Sequence, residues 1–339
     1  MRIAIDAMGG DYAPREIVAG AVEALGGLGS DDQLVLIGLE DRIREELREL
    51  GSPDDPRLSV VHASQVIEMG DHPVEALRQK RDSSIAKMAV MAAGEQVDAV
   101  ISAGNTGACV AACQMKIRPL KGVQRPGIAV VIPSFGGPMI LCDVGANVAP
   151  KPHHLHQYAL MSIIYAKHLL GVDGSPKVAL LSIGEEDAKG NPLVKQARDL
   201  IKADPRINFV GYVEDRSLLS GQAGVVICDG FVGNVALKLI EGLADGLVSM
   251  LTKDISSADP ALAKSFEPIL KKLWQQHDYS EYGGAPLLGV DGICIICHGS
   301  SNRRAIRNAV AVAAKLCRSN INQRIVEFLQ SEPAAIPPN

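Results

Sequence analysis

The sequence predicts an α/β fold with three layers, α/β/α, in which a largely parallel, Rossmann-like sheet lies between helices. Short apolar segments rich in β-branched residues alternate with longer amphipathic segments along most of the 339 residues, which is typical of parallel strands joined by helices. The chain has 33 glycines and only 4% aromatic residues, which suits tight turns and aliphatic packing. Hydrophobic residues make up 47%, so we expect a single domain over residues 1–330, followed by a disordered, proline-rich tail over 331–339.

The predicted strands are short apolar runs that end in glycine or small polar residues. In order they are Arg2–Asp6, Gln33–Gly38, Leu58–His62, Asp98–Ile101, Ile128–Ile132, Met139–Val144, Lys177–Ser182, Asn208–Gly211, Gly224–Asp229 and Gly292–Cys297. Because Ser134–Gly137 offers a tight turn between the fifth and sixth strands, we expect these two to form a hairpin.

The predicted helices follow these strands. Pro14 stands where a first helical turn begins, and Arg15–Leu25 continues it. The others are Glu40–Leu50, a helix from Asn105 or Thr106, a helix from Lys151 to Leu170, Leu193–Lys202, Val235–Met250, and a final long helix that carries Arg303, Arg304 and Arg307.

Residues from about 240 to 280 carry two amphipathic stripes, which we expect to form a helical protrusion. The stripes are Leu243, Leu247, Val248, Leu251 and Ile255, and then Leu262, Phe266, Ile269, Leu270, Leu273 and Trp274. Three interpretations stay open: packing on the protein's own core, a dimer surface, or contact with a membrane surface.

Composition and charge argue against several classes of protein. The net charge of −5 argues against nucleic-acid binding, which usually needs a basic excess. No apolar run reaches about 18 residues, so no segment is expected to span a membrane, although peripheral contact stays open. Met1–Asp6 predicts a strand and not a targeting segment, and the seven cysteines predict free thiols, so we expect a cytoplasmic protein.

The main functional signal is the predicted strand-to-helix turn Ser102–Gly107. Its glycines let the backbone bend sharply and let an anion come close, while Asn105 or Thr106 can cap the following helix. Four other turns have a similar composition, namely Asp6–Asp11, Asp143–Val148, Asp229–Asn234 and His298–Asn302. Turns at the carboxyl ends of parallel strands converge on one edge of a sheet. We therefore expect one cleft whose amide, hydroxyl and backbone N–H donors hold an oxyanion.

Two further clusters have both structural and functional interpretations. The basic cluster consists of Arg78, Lys80, Arg81 and Lys87. It predicts either a solvated helix face or a docking patch for an acidic partner. His153 and His156 can share a helix face, but no acidic or cysteine partner follows at ligand spacing, so we expect capping or surface roles and no metal.

Seven motifs, in order from residue 1 to about residue 325, together resemble the bacterial phosphate acyltransferase family, which uses acyl-acyl carrier protein and inorganic phosphate. They are Asp6–Asp11, Ser102–Gly107, Asp143–Asn147, Lys189–Asn191, Asp229–Asn234, Tyr282–Ala285 and His298–Ser301. The resemblance implies a homodimer with a fold similar to phosphotransacetylases and isocitrate-dehydrogenase-like enzymes, and no cofactor.

The resemblance also implies a reaction and its partners. A fatty acyl group passes from acyl carrier protein to inorganic phosphate, and the acyl phosphate serves phosphatidic acid and phospholipid synthesis. It implies a cytoplasmic enzyme that touches the inner face of the membrane, where a glycerol-3-phosphate acyltransferase uses the acyl phosphate. The basic cluster matches a basic stretch of the family, which favours docking of the acidic carrier protein.

The resemblance and the turn chemistry together define a set of candidate site residues. The expected catalytic residues are Asn105, Thr106, Asp229, Asn234, Lys238 and His298. The expected substrate-binding residues are Asp6, Gly9, Gly10, Asp11, Gly104, Gly107, Asp143, Asn147, Lys151, Lys189, Asn191, Gly233, Ser300 and Ser301. The aspartates either cap turns and orient donors or accept a proton, and His298 either protonates the leaving sulfur or is structural.

A direct mechanism needs little base catalysis. Phosphate is already anionic and a thiolate leaves readily, so positioning and stabilisation of the tetrahedral oxyanion suffice. A cysteine nucleophile is the rival mechanism, although the cysteines lie in apolar strands or helix starts. Three other functions stay open: a phosphotransacetylase-like enzyme that uses acyl-coenzyme A, a nicotinamide-dependent oxidoreductase and a membrane scaffold. The absence of a G-x-G-x-x-G motif counts against the oxidoreductase.

Overall fold

Eleven strands form one continuous sheet. The chain, seen as a computed structural model, is described over residues 1–172, 174–214, 216–258, 264–266, 268–269 and 282–331. The strands are β1 (Arg2–Asp6), β2 (Gln33–Gly38), β3 (Leu58–His62), β4 (Ala99–Ser102), β5 (Gly127–Ser134), β6 (Gly137–Cys142), β7 (Lys177–Leu181), β8 (Asn208–Val213), β9 (Val225–Ile227), β10 (Ala285–Leu288) and β11 (Ile293–Ile296). The predicted β5–β6 hairpin is confirmed. Strand β10 was not predicted, because it is only four residues long, contains a proline and follows two glycines.

Ten α-helices accompany the sheet in the described part of the chain. They are α1 (Arg15–Ala24), α2 (Glu40–Glu49), α3 (Pro73–Gln79), α4 (Ser84–Ala93), α5 (Thr106–Lys116), α6 (Pro152–Leu170), α7 (Pro192–Ala203), α8 (Gly230–Ala258), α9 (Arg303–Arg318) and α10 (Ile321–Gln330). The predicted long helix that carries Arg303, Arg304 and Arg307 is confirmed as α9, but it is not the final one, because Asn320 adopts a left-handed conformation with φ of 51° and separates α9 from α10.

Two hydrophobic cores lie on the two faces of the sheet. Successive strand residues point to opposite faces, so Ile3 and Ile5 of β1 join one core while Ala4 joins the other. Helices α1, α2, α6, α7, α9 and α10 pack on the first face, and α3, α4, α5 and the start of α8 pack on the second. The predicted three-layer α/β/α architecture is confirmed.

The strand directions differ from the predicted arrangement in one important respect. The sheet order is β3-β2-β1-β4-β11-β10-β5-β6-β9-β7-β8. The first five strands are parallel, and so are the last four, but three antiparallel junctions at β11/β10, β10/β5 and β5/β6 reverse the direction between them. The expectation that all the glycine turns share one edge of the sheet was therefore wrong.

The two parallel groups are offset, so their carboxyl ends meet near the middle of the sheet. Ile296, at the end of β11, pairs with Ala285 of β10. Leu287 and Leu288, further along β10, pair with the start of β5. Cys142, at the end of β6, pairs with Ala129 in the same part of β5. The turns that follow β11 and β6 therefore approach each other from opposite directions, which brings the predicted motifs together by a different route.

The basic cluster spans two helices and not one helix face. Arg78 lies on α3, Lys87 lies on α4, and Lys80 and Arg81 lie between them. Lys80 pairs with Asp71 at 2.5 Å and Lys87 pairs with Asp82 at 2.7 Å, whereas the arginines are exposed. The interpretation as a single solvated helix face was wrong because Ser83 caps a new helix just after Asp82.

The predicted protrusion is described only in part. Helix α8 is longer than expected at both ends, and its first stripe includes the exposed residues Leu243, Leu247 and Leu251. In the second stripe Phe266 and Ile269 are exposed. Leu262, Leu270, Leu273, Trp274 and residues 332–339 lie outside the described residues. Across the described helices, none is both long and apolar enough to cross a bilayer.

The start of α6 is sensitive to pH. The Lys151 backbone N–H donates to His154 Nδ1 at 3.0 Å, and burial, with His153, Arg125 and Lys151 nearby, lowers the pKa of His154 to about 4. The unfolded chain therefore binds the proton more readily, and the free energy of unfolding falls as the pH drops from 6.5 towards 4, by up to about 3 kcal/mol.

We expect the variant His154→Gln to weaken this pH dependence, because glutamine keeps an acceptor at the third helical position and does not titrate. Urea unfolding at pH 7 and pH 4.5 measures the difference. The exposed His72→Gln variant is the control and should unfold like the unmodified protein at both pH values. An equal loss of stability in the His154→Gln variant would contradict the assignment.

Candidate active site

A pocket of about 120 Å³ lies where the two groups of strands meet. Its apolar wall comes from β5, β10, β11 and the start of α8. Its polar lining comprises Thr106, Asn234, Lys238, Glu241, Tyr282 and His298. Residues from four of the five predicted turns, those after β4, β6, β9 and β11, thus share one pocket, whereas no residue of the turn Asp6–Asp11 lines it.

A buried carboxylate locks the turns after β1 and β4 together. Asp6 Oδ2 accepts a hydrogen bond from Ser102 Oγ at 2.7 Å, and Oδ1 accepts from the Met8 N–H at 3.1 Å. Burial raises the pKa of Asp6. A side chain at Gly9 would lie 2.6 Å from the Gly104 nitrogen, so the two turns touch backbone to backbone. Asp6, Gly9 and Gly104 therefore hold these two turns together.

The turn after β1 also holds the turn after β11. The Asp11 N–H donates to the Gly299 carbonyl at 2.7 Å, while the Asp11 side chain is exposed. Gly10 has φ of 109°, and a side chain there would lie 3.0 Å from the same carbonyl. The Gly10 N–H has no partner among the described residues and stays available to an anion.

The start of α5 is the clearest anion site. Asn105 Oδ1 accepts from the Ala108 N–H at 3.0 Å, and Nδ2 donates to the carbonyls of Glu68, Met69 and Asp71. The amide is thus fully used in fixing the turn. The next two N–H groups, of Thr106 and Gly107, have no partner among the described residues. With the Thr106 hydroxyl, they point to anion binding at the helix N-terminus.

The turn after β6 is organised by a second buried carboxylate. Asp143 accepts hydrogen bonds from four backbone N–H groups, those of Ile128, Gly145, Ala146 and Asn147. Burial raises the pKa of Asp143. The Asn147 side chain is also occupied, since Nδ2 contacts the Pro126 carbonyl at 2.6 Å and the Tyr158 hydroxyl at 2.8 Å. Both residues therefore hold the turn.

The start of α8 packs directly on the Asp143 turn. Asp229 Oδ1 caps the helix by accepting from the Phe231 and Val232 N–H groups at 3.0 and 2.9 Å. The Gly233 N–H donates to the Asp229 carbonyl, and any side chain at Gly233 would overlap the Asp143 carbonyl oxygen. The first N–H groups of α8, unlike those of α5, therefore already donate hydrogen bonds within the chain. The contribution of α8 to the pocket comes from its side chains.

Lys238 and His298 face the same pocket. Lys238 Nζ donates to Glu241 Oε2 at 2.8 Å. Ser300 donates its N–H to His298 Nδ1 at 3.2 Å, and Ser300 Oγ lies 2.7 Å from the same nitrogen, so we assign the proton of the neutral ring to Nε2. Burial and the positive charge of Lys238 lower the pKa of His298, so the neutral ring is favoured near pH 7. The imidazole can then donate to an oxyanion or a leaving sulfur from Nε2.

Several predicted residues lie outside the lining of the pocket. Lys151 is exposed at the start of α6, and Lys189 is exposed in the loop after β7. Asn191 caps α7 by accepting from the Val194 N–H at 2.9 Å. Ser301 is buried, and its N–H donates to the His298 carbonyl. Asn191 and Ser301 thus hold their own turns, and neither lysine lines the pocket.

Residues 1–324 match the family described as "Fatty acid synthesis protein". The chain is 45% identical over 332 residues to a phosphate acyltransferase from Dictyoglomus turgidum, with 97% of this chain and 98% of that protein covered. It is 46% identical over 336 residues to one from Halothermothrix orenii, with 98% of each chain covered. The chain belongs to this family. It is therefore an acyltransferase of lipid biosynthesis.

Solved structures of phosphotransacetylases share the fold of this chain. A phosphotransacetylase from Streptococcus pyogenes has a TM-score of 0.63 at 16% identity, with 94% of each chain covered. The EutD phosphotransacetylase from Staphylococcus aureus has a TM-score of 0.61 at 14% identity, again with 94% of each chain covered. At this low identity they establish the shared fold alone, and this confirms the predicted fold class.

Two polar residues of the acyltransferase pocket were not predicted. Glu241 lies one helical turn beyond Lys238, and the i,i+3 spacing of the two charges is the signal that can identify it. Tyr282 belongs to a motif that carried the resemblance, but its position in a glycine-rich loop gave no reason to place it in the site.

Cys142, Cys228 and Cys297 do not offer a nucleophile to the acyl group. Cys142 and Cys228 are buried, and burial raises the pKa of each thiol well above its ordinary range. Cys297 borders the pocket, but it is also buried, and burial raises its pKa to about 12. A thiol that stays protonated is a poor nucleophile, which favours direct attack by phosphate.

Proposed function

We propose that this enzyme transfers a fatty acyl group from acyl-acyl carrier protein to inorganic phosphate, which releases the free carrier and acyl phosphate. The observation that carries the proposal is the pair of N–H groups of Thr106 and Gly107 at the start of α5, which have no partner among the described residues, together with Thr106 and Lys238 lining one pocket. Oriented N–H donors and an ammonium are suited to a phosphate anion.

The reaction follows from this arrangement. Thr106 and Gly107 donate to phosphate, Lys238 reduces its charge, and one phosphate oxygen attacks the thioester carbonyl. The carbonyl becomes a tetrahedral oxyanion, and its collapse breaks the carbon–sulfur bond. We assign stabilisation of the oxyanion or the leaving thiolate to Asn234 and the His298 imidazole, which line the same pocket. No step needs a strong base, so Asp6, Asp143 and Asp229 can remain structural.

An apolar groove of about 330 Å³ supports a long acyl chain as the transferred group. It lies between the β5–β6 hairpin and α8, with Ile132, Phe135, Ile240 and Leu247 among its lining residues. Leu237 and Glu241 line both the groove and the phosphate pocket. The groove falls within the size range of ligand pockets, and we place the acyl chain in it with the carbonyl towards Lys238.

Filling the groove should change the preference for chain length. We expect the variant Ala244→Phe to lower kcat/KM for palmitoyl donors by roughly tenfold or more, and to affect butyryl donors little, because overfilling excludes only the distal methylenes. The matched control is Ser249→Phe, an exposed position of α8 outside the groove. Equal losses for long and short donors would refute this placement of the chain.

The basic cluster supports docking of the acidic carrier protein. Pro73, at the start of α3, packs against Gly107 at the start of α5, so α3 adjoins the proposed phosphate site. Arg78 and Arg81 are exposed beside it, while Lys80 and Lys87 are held by ion pairs with Asp71 and Asp82. We assign docking mainly to the two arginines.

We expect the double variant Arg78→Glu/Arg81→Glu to raise KM for the carrier-bound donor about tenfold, because a charge reversal repels an acidic partner. KM for acyl-coenzyme A, if that donor is used, should not change. Arg42→Glu, at an exposed position of α2, is the control. An unchanged KM for the carrier-bound donor would remove the docking assignment.

Assembly and location are further parts of the proposal. The apolar residues exposed along α8, among them Leu239, Leu243 and Met250, support a homodimer or peripheral contact with the inner face of the membrane. A cytoplasmic enzyme in this position can pass acyl phosphate to a membrane glycerol-3-phosphate acyltransferase. Such a hand-over suits a reactive product that water hydrolyses.

The proposed reaction is tested by its product. Purified enzyme is incubated with palmitoyl-acyl carrier protein and phosphate, and acyl phosphate is trapped with hydroxylamine as the hydroxamate. We expect hydroxamate only when carrier-bound donor and phosphate are both present. Hydroxamate from acyl-coenzyme A but not from the carrier-bound donor would move the enzyme to a phosphotransacetylase-like function, and absence from both would refute acyl transfer to phosphate.

A further inference from the structure

Three buried thiols meet behind the pocket, at the contact between α5 and β11. Cys109 and Cys113 are four residues apart on α5, so they share one face of the helix, and Cys294 of β11 lies opposite them. The Cys113 and Cys294 sulfurs are 3.3 Å apart, and those of Cys109 and Cys294 are 3.9 Å apart. All three Sγ atoms lie within 4.8 Å of one another.

We propose that Cys109, Cys113 and Cys294 form a trigonal three-thiolate site for one copper(I) ion. Three sulfurs at about 2.3 Å from a central ion form a triangle with sides of about 4 Å. The separations of 3.3 and 3.9 Å are slightly shorter than this value and the third is at most 4.8 Å, so small rotations of the thiols suffice. Because the ion arrives as copper(I), nothing is oxidised or reduced. Each thiol that becomes a thiolate ligand releases its proton to solvent.

The ligand set favours copper(I) over other ions. Thiolates are soft ligands that select copper(I) and zinc. Structural zinc takes four ligands, and among the described residues this group contains three. The three cysteines are at most 1% exposed, so water cannot readily complete a tetrahedron. A three-coordinate copper(I) ion needs no fourth ligand.

The site connects two elements of the catalytic pocket. Helix α5 begins at Thr106, which we assign to phosphate, and β11 leads into the turn of His298. An ion held by both elements would fix their spacing. We therefore expect bound copper(I) to raise the thermal unfolding temperature, a readout that does not depend on the enzymatic reaction.

The test titrates the purified, fully reduced protein with copper(I) under anaerobic conditions, against a chromophoric copper(I) chelator. We expect one ion per chain, three sulfur neighbours in X-ray absorption, and a raised unfolding temperature. Cys113→Ala should weaken binding at least tenfold. The control Cys317→Ala removes a thiol outside the cluster and should bind normally.

Folding of the variants is checked by circular dichroism without copper, and Cys109→Ala serves as a second variant if Cys113→Ala does not fold. Equal affinity in the cluster variants and in Cys317→Ala would overturn the proposal, as would fewer than three sulfur neighbours or no copper retained against the chelator. None of these outcomes depends on the identity of the acyl donor.

Discussion

Replacement of Lys238 by methionine is expected to lower kcat/KM for phosphate by roughly 10- to 100-fold, which corresponds to the loss of one charge-assisted hydrogen bond in the transition state. Methionine keeps the apolar stem of the side chain and removes the ammonium. KM for the acyl donor should change little, because the acyl chain contacts the groove. Initial rates over a matrix of phosphate and donor concentrations measure both effects.

The control for this prediction is Lys253→Met, which removes the same charge from an exposed position further along α8. It should leave all kinetic constants unchanged. If Lys238→Met raises KM for the donor and not for phosphate, Lys238 serves the acyl group and its assignment to phosphate is wrong.

The same variant has a second readout that needs no substrate. The Lys238 ammonium helps to lower the pKa of His298, so its removal should move that pKa upwards, towards the ordinary value. Titration of the His298 ring by NMR measures the shift. An unchanged pKa would mean that the two side chains do not share the pocket in solution.

Among glycine-to-alanine substitutions at the described residues, Gly233→Ala is expected to be the most damaging. Its Cβ would overlap the Asp143 carbonyl oxygen and approach Cys228 Sγ to 2.8 Å, so the start of α8 must move away from the Asp143 turn. Overpacking of this kind costs about 1–3 kcal/mol of stability. Because Asn234 and Lys238 move with the helix, we also expect at least a tenfold loss of kcat.

The matched control is Gly242→Ala on the same helix, where no atom lies within 4 Å of the added methyl group. This variant should be as stable as the unmodified protein, or more stable by about 0.5–1 kcal/mol, because alanine favours the helix. Chemical unfolding and steady-state kinetics compare the two. Normal activity of Gly233→Ala would mean that α8 does not position the site.

The local elements of the fold were predictable because each depends on neighbouring residues. Apolar runs ending at Asp6, Ile101 and Asp229 predicted β1, β4 and β9, and small polar residues predicted the turns that follow. The two-group sheet was not predictable, since its reversal depends on β10, a four-residue strand that pairs across more than 150 positions with β5. Long-range pairing of so short a segment leaves no periodic signal.

In the candidate site, too, local features were predictable from the sequence and long-range contacts were not. Residue types placed Asn105, Asp143 and Asn147 in the right turns, but their polar atoms are used by backbone groups that only the tertiary structure supplies. Conversely, Glu241 and the groove depend on which face of α8 meets the β5–β6 hairpin. An amphipathic stripe alone did not distinguish a core contact from an acyl-chain groove.

The central claim is that bound phosphate attacks the thioester directly, with no acyl-enzyme. It is tested most directly by rapid-mixing measurement of thiol release from palmitoyl-acyl carrier protein, at enzyme concentrations comparable to the donor, with and without phosphate. Direct attack by phosphate predicts no release without phosphate and steady release with it. A phosphate-independent burst of one thiol per enzyme would reveal an acyl-enzyme and contradict direct attack.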